Sequence, residues 1–558
     1  MLTATGTPVF AQAPAGSVPT REEITRPVEP AAPRPPRVRI DGDIERAPCA
    51  LADPRYADIR VTINRATFSR LIGIDAADLE PLYRDYLGTD RPVSDICEIR
   101  DAVATALRRR GYLAAVQVPT QEIKGGEVRF EILYARLTAI RVRGDAGNSE
   151  AIVTRYLDKL TQDEVFNMRE AERYLLLARD LPGIDIHLAL KPTGTAGEVY
   201  GDVTVTNVPV EAELNVQNLN AETTGRWGAQ GRVQINGLTG MGDRTTLAFY
   251  STAPFHEQHV LQLGHEMRLG GEGLQIGGRF TYAWSQPDLP AQPDLVHART
   301  LFATLEARYP LERTQASTIW LSGGMDFVNQ TVRFDQTPIA HDKLRIAYLR
   351  IDGDLLDQVG TGADWHAAYW AELRQGLDIL DATPGLVAGT TPPSRADGEG
   401  DSTLFRGGLS GELVVAPNVS IAANVSGQLS ADRLFAFEEF SAGNYTIGRG
   451  YDPGTLIGDD GLGGSLEIRL DRLTPIRAPL VLQPFVFIDA ARVWNRGTGG
   501  ETLLSVGGGV RASYAERFRL DLTLAVPTRR VGLQTEREDP RLLVSFTTRL
   551  WPWPSGGE

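Results

Sequence analysis

The chain has 558 residues, of which 42% are hydrophobic and 23% are charged, and its formal net charge is −14. This length suggests two to four folding units, and the acidic balance argues against nucleic acid as a partner, because binding to polyphosphate needs a concentrated basic surface. No uncharged apolar run reaches about eighteen residues, which argues against a helical membrane protein. A transmembrane β-barrel is compatible with this composition, since its strands alternate lipid-facing apolar residues with lumen-facing polar ones.

Residues 1–57 precede the first regular pattern and divide into two segments. Residues 1–13 end in the small-x-small pattern of a signal-peptidase site but lack a basic start and a full apolar stretch. We interpret them as the remnant of a signal peptide, with a chance match in an alanine-rich stretch as the alternative. Residues 14–57 are rich in proline, which removes helix donors and favours extended backbone. They are predicted to form a linker with one short helical turn at about 20–25.

The chain contains two cysteines, Cys49 and Cys97. Two are too few for a zinc site with four clustered ligands or for a disulfide-dense scaffold. They lie on either side of the first predicted helix, so one disulfide formed in an oxidising compartment and two free thiols stand as equal alternatives. No metal site and no cofactor is predicted.

Residues 58–137 and 138–206 are predicted to repeat one small α+β unit that reads strand, helix, helix, strand, strand. Period-two alternation marks the strands, and apolar residues at helical spacing mark the helices. In the first unit, the predicted strands are 59–63, 115–118 and 127–132, and the predicted helices are 78–87 and 93–110. In the second unit, the strands are 138–142, 184–190 and 199–206, and the helices are 150–160 and 167–179.

From residue 210 onward, alternating segments are separated by Gly, Asn, Asp and Pro, which predicts a meander of antiparallel strands. We place about sixteen strands in 210–551, an even number as bacterial single-chain barrels require. A soluble sandwich shows the same alternation, but so many strands in one meander favour the membrane, with a lumen wide enough for an extended chain. Aromatic residues near strand ends are expected at the membrane interfaces: Tyr282, Trp284, Tyr309, Trp320, Tyr369, Trp370, Trp551 and Trp553.

The predicted fold class is therefore mixed: two small α+β domains followed by an all-β antiparallel transmembrane barrel. Four further segments follow the two repeated units in a fixed order, and they are 216–220, 236–243, the Ile-Gly-Arg-Gly-Tyr sequence at 447–451 and the Phe-Val-Phe-Ile-Asp-Ala-Ala-Arg-Val sequence at 485–493. In this order the chain resembles the TpsB class of two-partner secretion transporters, the haemolysin-activator and filamentous-haemagglutinin secretion family, from about residue 48 to 551. The resemblance identifies the two α+β units as POTRA-like domains.

The resemblance implies that Arg449, Gly450 and Tyr451 lie at the tip of a loop, 437–463, which folds back into the barrel lumen between the eleventh and twelfth strands. It also implies that Asp489 on the thirteenth strand is the partner of Arg449, because a planar guanidinium is best satisfied by a carboxylate that binds both of its edges. Three further residues belong to the same barrel motif: Phe485, Phe487 and Arg492. The alternative is that Arg449 and Asp489 lie on unrelated solvated surfaces, as most Arg and Asp residues do.

The resemblance further implies an outer-membrane pore that recognises and secretes a partner exoprotein of the haemolysin, haemagglutinin or adhesin type without ATP. POTRA-like domains in the periplasm of a Gram-negative bacterium would bind the partner unfolded, by adding it as a strand to a sheet edge. Outer-membrane lipid and the barrel assembly machinery would be the other partners. The rival functions are an assembly factor for other barrels, typically with more POTRA-like domains, and a passive pore with none.

No enzyme is predicted. His256 and His259 are three residues apart, whereas a metalloprotease helix places its two histidines four apart. No nucleophile elbow, P-loop or dinucleotide fingerprint occurs in the sequence. Catalytic residues are therefore not assigned.

Overall fold

The computed structural model describes residues 19–25 and 49–553, apart from gaps at 196, 254, 290–294, 357–364, 472, 475–478, 498, 516 and 533–536. The chain forms two compact units. One unit spans 36–207, and the other joins 208–558 to the N-terminal 35 residues, which include the first helix, α1 (Arg21–Thr25). The predicted signal-peptide remnant, 1–13, and most of the predicted linker lie outside the described residues.

The first α+β domain is built on a three-stranded sheet covered by one long helix. Its elements are 3-10 turns at Ala50–Ala52 and Pro54–Tyr56, β1 (Arg60–Thr62), β2 (Arg65–Ser69), α2 (Ala76–Leu79), 3-10 turns at Glu80–Leu82 and Arg84–Tyr86, β3 (Asp90–Pro92), α3 (Asp95–Arg109), β4 (Ala114–Gln117) and β5 (Glu127–Tyr134). β5 is the middle strand, with β2 parallel and β4 antiparallel to it. The amphipathic α3 buries Ile99 and Val103 in one core with Phe130 of β5.

Two element predictions for this domain are wrong. The predicted strand 59–63 is shortened to β1, which pairs with β3 in a separate two-stranded sheet, and the main sheet uses β2 instead, which was not predicted. The predicted helix 78–87 stops after α2, because Pro81 has no N–H and disfavours helical backbone at the residue before it. The chain continues from there in single turns of 3-10 helix.

A disulfide between Cys49 and Cys97 joins the start of this domain to α3, across 48 positions of sequence. Such a cross-link removes conformational entropy from the unfolded chain and contributes about 2–4 kcal/mol to stability. We therefore expect the variant Cys49→Ser/Cys97→Ser of the isolated 49–207 fragment to unfold at a lower temperature, measured by circular dichroism. The unsubstituted fragment in dithiothreitol is the control and should show the same decrease. A variant as stable as the oxidised fragment would contradict the expectation.

The second α+β domain repeats the same arrangement. Its elements are β6 (Arg136–Gly144), a 3-10 turn at Gly147–Ser149, α4 (Glu150–Asp158), a 3-10 turn at Lys159–Thr161, α5 (Met168–Arg179), β7 (Ile184–Pro192) and β8 (Glu198–Asn207). β8 is the middle strand, parallel to β6 and antiparallel to β7. Tyr156 of α4 and Leu175 of α5 are buried in one core with Val203 of β8. The structure has strands and helices at all five predicted places, with ends that differ by one or two residues.

The larger unit is a closed barrel. Its strands are β9 (Val210–Gln217), β10 (Gly228–Asn236), β11 (Arg244–Thr252), β12 (Gln258–Leu269), β13 (Leu274–Ser285), β14 (Val296–Arg313), β15 (Ser317–Phe334), β16 (Thr337–Leu356), β17 (Trp365–Gly376), β18 (Thr403–Ala416), β19 (Val419–Ser430), β20 (Phe440–Ala442), β21 (Leu456–Gly458), β22 (Asp460–Leu470), β23 (Leu480–Trp494), β24 (Gly500–Tyr514), β25 (Phe518–Pro527) and β26 (Arg541–Trp551). Sixteen of them close into one antiparallel barrel in chain order, β19 pairing with β22 and β26 with β9, while β20 and β21 form a separate ribbon. The predicted fold class is confirmed.

Side chains of each barrel strand alternate between the lumen and the outer face. On β23, Phe485, Phe487 and Asp489 point into the lumen and are at most 5% exposed. Val486 and Ile488 point outward and are 56% and 44% exposed. The outer face is apolar and the lumen polar, as a barrel in lipid requires.

Two aromatic residues that were predicted at the membrane interfaces lie in the lumen instead. Trp320 and Trp370 lie opposite Asp352 on its two neighbouring strands. The guanidinium carbon of Arg308 is 4.4 Å from the ring centroid of Trp320, and that of Arg350 is 4.6 Å from the ring centroid of Trp370. The interface prediction is wrong for these two residues, because alternation shows that a strand has two faces without showing which face meets lipid.

None of the helices in the described part of the chain is long and apolar enough to cross a membrane.

Candidate functional site

The loop between β19 and β22, residues 431–459, folds into the barrel lumen. The ribbon of β20 and β21 joins its two halves, and Ile447 near its tip is buried against Leu503 of β24. Gly448 has a φ of +117°, a conformation that glycine adopts far more readily than other residues. The backbone turns there and presents the next side chain, Arg449, to the barrel wall.

Arg449 is held by four side chains of the lumenal wall, three of which accept hydrogen bonds from it. Its Nε and Nη2 donate to the two carboxylate oxygens of Asp489 at 2.9 and 2.7 Å, and its backbone N–H donates to the same carboxylate at 3.0 Å. Nη1 donates to Glu467 at 2.5 Å, and Nη2 also donates to Ser465 at 2.8 Å. The guanidinium carbon lies 3.5 Å from the ring centroid of Phe487. Paired N–H donors on one carboxylate with an aromatic ring beneath satisfy a guanidinium that is largely removed from water.

Glu467 is shared between the loop and the wall. Besides Arg449, it accepts two hydrogen bonds from Arg511 at 3.1 Å each and one from Arg469 at 2.8 Å. Arg511 in turn lies 4.0 Å above the ring centroid of Phe485. Two arginines, Arg449 of the loop and Arg511 of β24, therefore each lie over a phenylalanine ring of β23 and donate to the same carboxylate.

The residues that follow Arg449 attach the other side of the loop tip to the barrel wall. Tyr451 is fully buried, and its hydroxyl lies 3.0 and 2.9 Å from the carbonyl oxygens of Leu504 and Arg529 and accepts a hydrogen bond from the Arg529 N–H at 3.1 Å. Asp452 forms an ion pair with Arg541 of β26 at 2.8 Å. The tip of the loop is thus held against β22 to β26 by polar contacts on both sides.

Gly450 lies where the loop backbone meets the wall most closely. A Cβ added there would lie 2.8 Å from the backbone N of Pro527 and 2.9 Å from the Cβ of Ser505. Backbone atoms of a strand end cannot move aside as a flexible side chain can, so we expect Gly450→Ala to displace the loop and to reduce severalfold the secretion that the family resemblance implies. Gly499→Ala is the matched control, because its Cβ would meet nothing within 4 Å. Equal secretion by the two variants, measured against barrel abundance in the outer membrane, would contradict this.

The short helix α1 also lies in the lumen, at the place where one helical turn was predicted within the linker. Its Ile24 is fully buried in a cluster with Phe302 of β14 and Phe437 of the loop. The side-chain amide of Gln262 donates to the Ile24 carbonyl at 2.9 Å, which satisfies a free group at the helix end. The helix is therefore packed against both the wall and the loop.

A second ion-pair cluster, which was not predicted, surrounds Arg374 of β17. Arg374 is 1% exposed and donates to both carboxylate oxygens of Glu438 in the loop at 2.7 and 3.0 Å. It also donates to Glu372 at 3.0 Å and to Asp326 at 2.8 Å. Arg21 of α1 reaches the same Glu438 at 3.3 Å. One loop carboxylate thereby joins the wall and the helix.

The neighbouring loop residue, Glu439, takes part in a third ion pair. Arg395 donates to Glu439 at 2.8 Å and to Asp459 at 2.5 Å, and Asp459 is fully buried. The adjacent acidic residues Glu438 and Glu439 were the only sequence signal for either cluster. Their partners lie 44, 64 and 417 positions away in the chain, which no local pattern reveals.

The structure brings most of the predicted site residues together. Arg449, Asp489 and Phe487 are in direct contact, and Phe485 lies beside them under Arg511. Arg492 does not join them: it occupies an outward position of β23 and is exposed. The predicted loop 437–463 lies between the eleventh and twelfth barrel strands, but its last residues form the start of β22. Among the described residues, no group of three or more His, Cys, Asp or Glu side chains is arranged to hold a metal ion.

A closed sixteen-stranded barrel with an apolar outer face, a charged lumen entered by a loop, and α+β domains before it defines an outer-membrane β-barrel protein. A family model described as "Haemolysin secretion/activation protein ShlB/FhaC/HecB" matches residues 202–512, and one described as "POTRA domain, ShlB-type" matches residues 61–134. The first match covers more than half of the chain, so the chain belongs to the ShlB/FhaC/HecB family. The predicted family is confirmed, and the function is secretion of a partner protein across the outer membrane by the two-partner route, with the POTRA region in the periplasm.

Three known proteins illustrate the similarity. The heme/hemopexin transporter protein HuxB of Haemophilus influenzae (strain 86-028NP) is 21% identical over 480 residues, which cover 81% of this chain and 80% of that protein. The structure of CdiB from Escherichia coli has a TM-score of 0.74 at 16% identity and covers 91% of this chain and 94% of that one. BamA from Haemophilus ducreyi lacking POTRA domains 1–3 has a TM-score of 0.51 at 12% identity, with 88% and 100% covered. These structures show a shared fold, while the family match favours secretion over barrel assembly.

Proposed function

We propose that this protein secretes one large exoprotein of the haemolysin, haemagglutinin or adhesin type, which the periplasmic domains bind unfolded and the barrel passes outward without ATP. The observation that carries the proposal is the content of the lumen. The space through which a client would pass holds the 431–459 loop and α1. Ion pairs attach the loop to the wall, and Arg21 of α1 pairs with Asp326 of the wall and with Glu438 of the loop. A conduit closed in this way opens when those contacts exchange for water or for the client.

In this proposal Arg449 and Asp489 form a latch that keeps the loop on the wall. Support comes from the paired hydrogen bonds between them and from the second carboxylate, Glu467, on the other edge of the guanidinium. A buried ion pair gives little net stability, because desolvation opposes the attraction, but it fixes geometry strongly. Such a contact suits a loop that must be held in one defined position and still be released. No bond is made or broken in this latch, so its role is structural and not catalytic.

The α+β domains supply client capture in this proposal. In the described part of the chain, β2 and β4 lie at the edges of the first sheet, and β6 and β7 lie at the edges of the second. An edge strand offers unpaired backbone groups to which an extended segment adds as a further strand, and side-chain pockets beside it give selectivity. The barrel itself is inserted in the outer membrane by the barrel assembly machinery.

Deletion of the gene tests the proposal directly. We expect one large secreted protein, encoded beside this gene and carrying an N-terminal secretion domain, to disappear from the culture medium, as measured by mass spectrometry of the medium. Restoring this chain on a plasmid should restore the protein to the medium. General loss of outer-membrane barrels on deletion would instead support an assembly factor, and an unchanged medium would contradict secretion of a dedicated partner.

A further inference from the structure

The outer face of the barrel carries a group of basic and aromatic side chains on neighbouring strands. Arg299 of β14, Arg333 of β15 and Lys343 of β16 point outward, since the residues next to them in the chain, such as Thr300 and Asp342, are 1% exposed and face the lumen. The register places His297 opposite Arg333, and it places Tyr282 of β13 opposite Leu301, the next outward residue of β14 after Arg299. We define the basic patch as Tyr282, His297, Arg299, Arg333, His341 and Lys343.

The basic patch lies at the external membrane interface. β9 follows the periplasmic domains in the chain and neighbouring strands alternate in direction, so β14 and β16 begin at the external end of the barrel. On the outer face of β14, the residues from Tyr309 to Leu301 are aromatic or apolar, and Arg299 comes next. Ten residue steps from Tyr309 to Arg299, at about 3.3 Å each and a tilt of about 40°, span about 25 Å along the barrel axis. That is the height of the apolar band of such barrels, about 25 Å.

Outward basic charge is concentrated in this patch. The other outward Arg and Lys positions on the described barrel strands are Arg345, which donates to two backbone carbonyls of the wall, and Arg492 on the far side of the barrel. In the part of the chain that the structure describes, no ion pair is formed by Arg299, Arg333 or Lys343. Three cations that have no ion-pair partner among the described residues therefore lie together on a protein whose net charge is −14.

A surface cavity of about 360 Å³ opens within the patch. Arg299, Arg333 and His297 line it on strands β14 and β15, and Leu301 lies at its edge on the side of the apolar band. Asp335, in the short turn after β15, is the acidic residue of its lining. The remaining lining residues are Tyr282, Asn329, Thr331 and Gln336. The cavity thus combines guanidinium and imidazole donors with Leu301 on the side of the apolar band, which suits a molecule that is anionic at one end and apolar at the other.

We propose that the basic patch binds the phosphorylated headgroup of an anionic glycolipid of the outer leaflet, with the acyl chains along the apolar band below Leu301. Arginine binds phosphate oxygens through two parallel N–H donors, and lysine adds a point charge. Each basic residue near a membrane surface strengthens binding of anionic lipid about fivefold. The inference concerns the outer surface of the barrel and goes beyond the proposed secretion function.

The test uses the purified full-length protein in neutral detergent with diphosphorylated lipid A as the probe, followed by native mass spectrometry and by fluorescence titration. The variant Arg299→Gln/Arg333→Gln/Lys343→Gln should bind lipid A roughly 100-fold more weakly, three contacts of about fivefold each. Arg492→Gln, an outward arginine on the far side, should differ from the unsubstituted protein by less than about twofold. Lipid A from which both phosphates are removed should not distinguish the unsubstituted protein from the two variants.

Folding is checked by heat-dependent migration on gels. If the triple variant fails to fold, the single variant Arg333→Gln replaces it, and its binding of lipid A should decrease about fivefold. Equal binding by the triple variant and the unsubstituted protein would overturn the proposal, and so would an equal loss in Arg492→Gln. Cross-linking of the secreted client to the patch, together with unchanged lipid A binding by the triple variant, would also overturn the proposal. That result would favour a protein partner. Normal secretion by a variant that has lost lipid A binding leaves the secretion function intact.

Discussion

Replacing Arg449 with alanine is expected to reduce secretion of the partner protein at least tenfold while the barrel remains folded in the outer membrane. The substitution removes the cation between Asp489 and Glu467, which are 1% and 7% exposed. Breaking a buried pair by removing one partner costs about 3–5 kcal/mol, since the remaining charge is left without compensation. Glu467 keeps Arg511 and Arg469, whereas Asp489 loses its main partner, so the loop is expected to leave the wall. Secretion is measured as partner protein in the medium per folded barrel.

Two further variants separate the latch from a general loss of charge. Arg449→Lys keeps the charge but cannot form paired hydrogen bonds to Asp489, so it should restore only part of the secretion. Arg232→Ala is the matched control, because Arg232 also pairs with a lumenal carboxylate, Glu213, but both belong to the wall and neither touches the loop. We expect the control to secrete at close to the normal rate. If Arg449→Ala secretes normally, or if Arg232→Ala is equally impaired, the latch role is refuted.

The sequence was sufficient to predict the barrel because its signal is local. Every strand of a barrel shows polar and apolar residues in a two-residue period, so each strand can be recognised from its own sequence and the strands can be counted. Long strands extend beyond their predicted ends, since pairing continues where the alternation no longer marks it. The strand predicted at 299–309, for example, is β14, which spans Val296–Arg313. In the first α+β domain, β2 was missed because only two residues separate it from β1, and the predicted strand ended at residue 63.

The site depended on a different kind of information. Arg449 and Asp489 are 40 positions apart, and nothing local links them, so their pairing was expected only through the family resemblance. Arg374 has no such motif, and its partners lie on β15, on its own strand and in the loop, so only the folded barrel reveals the cluster. Trp320 and Trp370 show the same limit, because local alternation does not distinguish the lumenal face from the lipid-facing one.

The cluster around Arg374 leads to the second large expected effect. Replacing Arg374 with methionine keeps much of the side-chain volume but leaves Asp326, Glu372 and Glu438 without their common cation. Arg21 of α1 is then the nearest remaining partner of Asp326 and Glu438, at 3.7 and 3.3 Å. Removing one member of such a buried network costs about 3–5 kcal/mol. We expect the start of the loop and α1 to move out of the lumen, so that single-channel conductance in planar bilayers rises and secretion becomes poorly controlled.

The double variant Arg374→Met/Glu438→Gln tests whether the unpaired carboxylate is the cause. Glutamine keeps the shape of Glu438 and its capacity to accept a hydrogen bond from Arg21, but it removes the uncompensated charge, so the double variant should be closer to the unsubstituted protein in thermal unfolding on gels than Arg374→Met alone. Its conductance should nevertheless stay raised, because the loop has lost its attachment to β17. If the double variant is the less stable of the two, the instability comes from lost packing around Arg374 and not from charge. In that case ion pairing does not hold α1 and the loop in the lumen, and the apolar cluster around Ile24 does.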